Sequence, residues 1–157
     1  DQTELLRAET GRQIGTPYVM KRDYLFKIDS GKFVFQTKPP WGTLLAIDLK
    51  DGSKKWEVPL GYSLDPKKYP GAEKWGSINL GGAIATAGNL IFVAATTDDH
   101  LRAFNTQTGE LLWEYLLPAG GQATPMTYQI HGKQYLVIAA GGHGKIGTKH
   151  GDYVSAF

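Results

Sequence analysis

Two stretches of the 157-residue chain, LLAIDLKDGSKKWEVPL at 44–60 and LRAFNTQTGELLWEYLL at 101–117, align without a gap. Leu44, Ala46, Gly52, Trp56, Glu57 and Leu60 match Leu101, Ala103, Gly109, Trp113, Glu114 and Leu117, and Asp48 is answered by Asn105. An internal repeat constrains a fold more than composition does, because each copy is a supersecondary unit that must bury its apolar face against a neighbour. Each copy reads as a strand of alternating small and apolar residues, a glycine turn, and a second strand carrying a tryptophan. That is a β-hairpin used twice. In the turn, Asp48 or Asn105 can accept local backbone N–H groups, while Gly52 or Gly109 can take a positive φ. The tryptophan supplies a wide apolar plate for docking onto the next hairpin, provided its indole N–H finds an acceptor.

Upstream of the second copy, GGAIATAGNLIFVAATT (81–97) reads as strand, tight turn, strand, so residues 81–117 form a four-stranded antiparallel blade. A partial third copy follows in GGQATPMTYQIHGKQYLVIAAGG (120–142) and DYVSAF (152–157), where Ala156 and Phe157 answer Ala103 and Phe104. An earlier blade over 15–60 is assembled from GTPYVM, GKFVFQT, GTLLAID and KKWEVPL, its Thr16-Pro17 echoing Thr124-Pro125. The predicted fold is all-β. It comprises nearly three four-stranded antiparallel blades of a β-propeller (15–60, 81–117 and an incomplete 120–157), with tryptophan docking motifs, in one segment 1–157. Three blades cannot close a ring, and an open ring exposes strand edges and apolar faces. The chain is therefore read as the C-terminal piece of a longer propeller, whose last blade is completed by a strand from its N-terminal part. The alternative is a small β domain that self-associates through those faces.

Composition narrows the function without naming it. The formal charge is +2 with both signs mixed along the chain, which gives no electrostatic footprint for nucleic acid or a membrane surface. There is no cysteine, so disulfides, thiolate metal sites, a cysteine nucleophile and covalent c-type haem are excluded within these residues. The apolar run at 90–95 is far shorter than the roughly 20 residues of a spanning helix. A first residue of Asp1 rather than Met is expected of a processed product or a piece of something longer.

In a four-stranded meander the connections alternate between two faces. One set is tight here: TAGN, TQTG and IHGK. The other set holds TKPPWG (37–42), GYSLDPKKYPGAEKWGSINLGG (61–82) and GGHGKIGTKHGD (141–152). Long, glycine-rich and tryptophan-bearing loops on one face of a rigid scaffold are the usual architecture of a site. Trp41, Trp75 and His143 are the candidates on this argument, each weighed against a purely packing role. His143 and His150 make a weak metal pair, since no third ligand is evident. The segment DPKKYPGAEK reads as a solvated excursion.

Taken together, LxAxDxxxGxxxW, GGxxATAGNLIFVAATTDDHLRAF, LPAGGQATPMTY, GKQYLVIAAGGHG and GTKHGDY resemble the C-terminal blades of the PQQ-dependent quinoprotein dehydrogenases, and among these the membrane-type glucose dehydrogenases. The resemblance is dense from Pro39 onward. It implies an eight-bladed propeller holding PQQ beside a bound Ca²⁺, with a carboxylate base removing the hydroxyl proton of a sugar or alcohol as the cofactor takes a hydride equivalent. The family's catalytic Asp, its quinone-contacting Lys and its calcium ligands have no match here, so this segment alone is expected to be inactive. GGHG matches the segment lining the substrate side of PQQ, which makes Gly142 and His143 cofactor neighbours and His143 a hydrogen-bonding partner for a sugar hydroxyl. NLGG (79–82) matches a segment whose backbone approaches the cofactor, bringing in Leu80, Gly81 and Gly82. Trp41 is a weaker substrate-side match, and Asp98 is expected to order the rim of the site. The resemblance further implies electron transfer to a quinone or cytochrome c, the remaining propeller blades as partners, and a periplasmic location with membrane association through an N-terminal part outside these residues. The reading from another class is a non-catalytic PQQ-repeat propeller that serves as a scaffold for protein interactions.

Overall fold

Asp48 and Asn105 shape the two repeated hairpins in the same way. The Asp48 Oδ1 accepts the N–H of Lys50 at 3.0 Å, and the Asn105 Oδ1 accepts that of Gln107 at 2.8 Å. Each residue's carbonyl also accepts the N–H of its glycine, Gly52 at 2.8 Å and Gly109 at 2.9 Å. Those glycines stand at φ 75° and 73°, in the left-handed region that the turn requires. The expected turn chemistry is thus present in both copies of this computed structural model. It describes residues 10–12, 15, 19–21, 26–29, 32–35, 37–144 and 146–157.

The chain divides into two compact units, Asp1–Lys38 and Pro39–Phe157. In the first, β1 (Thr10–Arg12) pairs antiparallel with β2 (Val19–Lys21), and β3 (Phe26–Asp29) with β4 (Lys32–Phe35). The second begins with the hairpin β5 (Thr43–Ile47) and β6 (Lys54–Pro59). Then comes a four-stranded meander of β7 (Ala83–Ala85), β8 (Leu90–Val93), β9 (His100–Asn105) and β10 (Leu111–Leu116). A three-stranded sheet follows, of β11 (Met126–Ile130), β12 (Lys133–Ala140) and β13 (Tyr153–Ala156). One 3-10 turn, Ala72–Lys74, interrupts the connection from β6 to β7. Among the described residues no helix is long and apolar enough to cross a membrane.

Among the described residues, β1–β2, β3–β4 and β5–β6 are each two-stranded pairs. β3 and β4 are neighbours in sequence, and a short connection makes that pairing entropically cheap. The echo of Thr16-Pro17 lies outside the described residues.

Two apolar clusters glue the sheets face to face. Leu60, Val93, Ala95 and Phe104 are buried between the β5–β6 hairpin and the four-stranded sheet, with Leu44, Val58 and Ile91 packed around them. Ala94, Leu101, Leu117, Ala119, Leu136, Ile138 and Ala140 are buried between the four-stranded and three-stranded sheets. β9 serves both, because period-2 alternation sends Leu101 to one face and Phe104 to the other. Trp56 adds a link of another kind. Its Nε1 donates to the Thr106 carbonyl at 3.0 Å, and its ring lies so close to Gly109 that a Cβ there would stand 2.6 Å from Cε3.

Candidate functional site

The long connections are joined edge to edge by hydrogen bonds that run across the sheets. Trp41 donates its N–H to the Trp75 carbonyl at 2.6 Å, and the two indoles meet edge to face at 5.8 Å. Gly42 and Gly76 permit that approach, since a Cβ on Gly42 would collide with the Ser77 carbonyl and one on Gly76 with the Gly42 carbonyl. Ser77 then meets Thr97, whose N–H donates to Ser77 Oγ at 3.0 Å. Leu80 donates its N–H to the Ala95 carbonyl at 2.8 Å, and Ala95 donates to that of Gly121 at 2.9 Å. Beyond these, Gly142 donates to Gly120, Gly120 to Lys149 and Gly151 to Gly141, at 2.8, 2.9 and 3.1 Å. One strip therefore runs from Trp41 to His143 through 75–80, 94–98 and 120–122.

The residues singled out in the sequence occupy this strip in different ways. Leu80 is 45% exposed, a large apolar side chain open to the surface, and Gly81 beside it is exposed as well. A Cβ on Gly81 would press on the Gln122 carbonyl and Ala95, and one on Gly82 would strike Thr124. These two glycines are thus required by close contact with the chain itself, in addition to any ligand. Gly142, at φ 75°, lies against the Lys149 carbonyl where a Cβ would collide. His143 is half-buried. Its N–H is held by Thr148 Oγ1 at 2.7 Å, and its ring Nδ1 is enclosed with no partner among the described residues. Trp41 is half-buried against Trp75, at the other end of the strip from His143.

Asp98 lies beneath the long connections rather than open to solvent. Its side chain is 1% exposed, because Arg102 from inside β9 needs a buried counter-charge and finds it there. Arg102 Nη1 and Nη2 lie 3.0 and 2.7 Å from the two carboxylate oxygens. Thr96 Oγ1 donates at 2.6 Å, and the N–H groups of Tyr62 and His100 donate at 2.9 and 3.2 Å. Burial pushes the Asp98 carboxyl up, but the Arg102 hydrogen bonds and charge, with Thr96 and the Tyr62 N–H, outweigh it and hold it below the usual carboxylate range. With its lone pairs so occupied, Asp98 ties the start of the 61–82 loop to the four-stranded sheet. Neighbouring Asp99 goes the other way, raised by burial and then by the Asp98 charge.

Gln122, Thr96 and Thr148 were missed in the sequence. Gln122 Nε2 donates to the Thr96 carbonyl at 2.9 Å, and Thr148 Oγ1 lies 3.1 Å from Gln122 Oε1. A single polar residue inside GGQAT has no period to mark it. The signal that was available is the pair of bare glycines before it, which lets another segment come close. Among the described residues no group of three or more His, Asp or Glu side chains is gathered to hold a metal.

Comparison with known proteins agrees with this architecture. Residues 1–136 match the family model described as the glucose/ethanol/alcohol dehydrogenase β-propeller domain of the PQQ proteins. The quinoprotein glucose dehydrogenase of Escherichia coli is 52% identical over 124 residues, covering 76% of this chain and 16% of that protein. Quinoprotein glucose dehydrogenase A of Acinetobacter calcoaceticus is 54% identical over 123 residues, covering 76% and 15%. The glycerol dehydrogenase large subunit of Gluconobacter oxydans is 41% identical over 138 residues, covering 85% and 18%. The chain thus spans less than a fifth of the length of these relatives. Among solved structures, the quinohemoprotein alcohol dehydrogenase of Comamonas testosteroni superimposes with a TM-score of 0.52 at 26% identity, covering 80% of this chain and 18% of that one. A quinohemoprotein alcohol dehydrogenase of Pseudomonas putida gives 0.50 at 34%, covering 65% and 12%. The sheets, the repeat and these matches agree: the chain belongs to the PQQ-dependent glucose/ethanol/alcohol dehydrogenase β-propeller family.

Proposed function

We propose that this chain forms part of the active-site face of a PQQ- and calcium-dependent dehydrogenase that oxidises glucose or a related sugar or alcohol. Electrons pass to a quinone or a cytochrome c, and the enzyme works in the periplasm. The observation that carries the reading is His143, half-exposed at the end of a hydrogen-bonded loop strip, with a ring nitrogen that has no partner among the described residues. An enclosed polar atom without a partner fits a site that a ligand completes. The identity to quinoprotein glucose dehydrogenases supports the sugar as substrate class.

The residues present suit PQQ, a flat and polar-edged group. Leu80 offers an open apolar surface, Gly81 and Gly82 a stretch of peptide without side chains, and Gly142 and His143 the opposite end of the strip. The chemistry PQQ supplies when bound is two-electron oxidation of an alcohol carbon to a carbonyl. The chain's own part is to bind and orient. His143 can hydrogen-bond a sugar hydroxyl, which favours polyols over small alcohols because a site built for a hydroxyl rejects a ligand lacking it. The carboxylate base and the calcium ligands belong to other blades.

The test is dye reduction with glucose by the full-length protein, with Ca²⁺ and with or without PQQ. Turnover that depends on PQQ is the expected result. Absence of turnover with glucose and a panel of sugars and alcohols, in a folded protein, would favour the scaffold. In the active protein, His143→Ala is expected to raise KM for sugar by about tenfold, the size of effect a lost hydrogen bond in a site produces.

A further inference from the structure

The His143 backbone sits among Gly141, Gly142 and Gly144, so its own neighbours cannot hold it by packing. Its imidazole Nδ1 makes no bond among the described residues. What fixes the residue is its N–H on Thr148 Oγ1 at 2.7 Å, with the Gly142 N–H on Gly120 and a turn in which the Gly147 N–H meets the His143 carbonyl at 3.1 Å.

We propose that Thr148 and Gln122 are positioning residues for His143, forming a directional hydrogen-bond chain that runs to it from the 94–98 loop. The chain has one sense only. The Thr96 carbonyl must accept, so the nitrogen of the Gln122 amide faces it at 2.9 Å and the amide oxygen is left pointing at Thr148. The Thr148 hydroxyl spends its single proton on that oxygen at 3.1 Å, which leaves its lone pairs free to take the His143 N–H. A flipped amide would set its oxygen against the Thr96 carbonyl and lose that bond, so the chain keeps this sense.

Thr148 is 4% exposed, and a broken link would stay unsatisfied rather than be replaced by water. Room for the junction comes from Gly120. A Cβ there would stand 2.5 Å from both Gln122 Oε1 and Thr148 Oγ1. The two glycine pairs of the region, 120–121 and 141–142, thus let two loops approach closely enough for the Gln122 side chain of one to meet the Thr148 side chain of the other, which in turn holds the His143 backbone. Anchoring a site residue through a neighbouring loop is how a flexible glycine segment reaches the sub-ångström placement that catalysis needs.

This inference rests on the role proposed for His143, and the experiment separates the two. In the full-length protein with PQQ and Ca²⁺, Thr148→Val removes the acceptor at nearly constant volume, and Gln122→Met breaks the chain one link earlier. Each is expected to change the glucose-to-alcohol ratio of kcat/KM by about tenfold, mainly through KM. Thr148→Ser, which keeps the oxygen, restores the ratio. Added to His143→Ala, Thr148→Val has no further effect, because both act through one side chain. In the same protein without PQQ, amide hydrogen exchange in 141–147 is expected to quicken about tenfold in Thr148→Val, with that of 90–93 and 101–104 unchanged. Additive effects in the double variant, or unchanged exchange in 141–147, would overturn the positioning role. A neutral Thr148→Val beside a sensitive His143→Ala overturns the positioning alone, whereas a neutral His143→Ala overturns it together with the proposed site.

Discussion

The two tryptophan hairpins share their turn and strand pattern, yet they meet different surroundings. In β5–β6, Trp56 bonds the Thr106 carbonyl and lies on Gly109 of the next hairpin. In β9–β10, Trp113 is 37% exposed, with Tyr115 stacked at 6.1 Å and Phe157 edge-on at 5.5 Å. At the position of exposed Leu45 in the first hairpin, the second carries buried Arg102. A hairpin is specified by its own residues. Docking is specified by the neighbour, and the same plate is energetically useful only where a bare turn receives it.

Substitutions can break this comparison at points of decreasing weight. Asp98→Ala removes the bidentate partner of a buried guanidinium, a term the first hairpin lacks, and leaves it only Glu114 at 3.4 Å among the described carboxylates. It should cost about 4 kcal/mol by urea denaturation of the full-length protein. Its pH dependence has a definite sign. Asp98 is held below the ordinary carboxylate range when folded, so its contribution is complete above the unfolded value and fades as pH falls through the folded one. The stability gap between the unsubstituted protein and Asp98→Asn should therefore be constant from neutrality to about pH 5 and shrink only in stronger acid.

Trp56→Ala removes a docked plate and should cost about 3 kcal/mol, against about 1 kcal/mol for Trp113→Ala. Equal losses in the two would show that docking adds nothing. Gly109→Ala meets both an unfavourable φ and the Trp56 ring, whereas Gly52→Ala meets only the φ, with nothing within 4 Å of the added carbon. The expected costs are about 2.5 and about 1 kcal/mol. The smallest effect belongs to Asn105→Asp, which copies the residue the first hairpin uses and should stay within about 0.5 kcal/mol.

What the sequence made legible follows the range of each interaction. The turns at Asp48–Gly52 and Asn105–Gly109 were readable because a side-chain acceptor and a positive-φ glycine lie within a few residues of each other. β7 through β13 were readable because apolar alternation repeats. The pairing of β3 with β4 was not, since charges are mixed into FKID and KFVF and near neighbours can pair. The partner of Asp98 was not readable: an arginine in HLRAFN needs a counter-charge once buried, but the sequence does not say that it is buried or which carboxylate meets it. Gln122 was invisible because its partners, Thr96 and Thr148, are each 26 positions away. Even the reason for NLGG was only half seen, as the two glycines answer first to the chain packed against them.

The transverse strip of hydrogen bonds lies on the face of the long connections, while on the opposite face the His131–Gly132 turn is short and exposed, and the hairpins before it are tied at single points, the Trp56 indole on the Thr106 carbonyl and the Thr106 N–H on the Asn89 carbonyl. One side of the molecule is stitched by a continuous run of bonds and the other is tacked. A fluorescent label, a fused domain or a surface tether inserted at His131–Gly132 would disturb one seam of one sheet, whereas the same insertion at 120–122 or 141–151 would pull on every segment from Trp41 onward. The molecule therefore carries its own guide to where it can be handled.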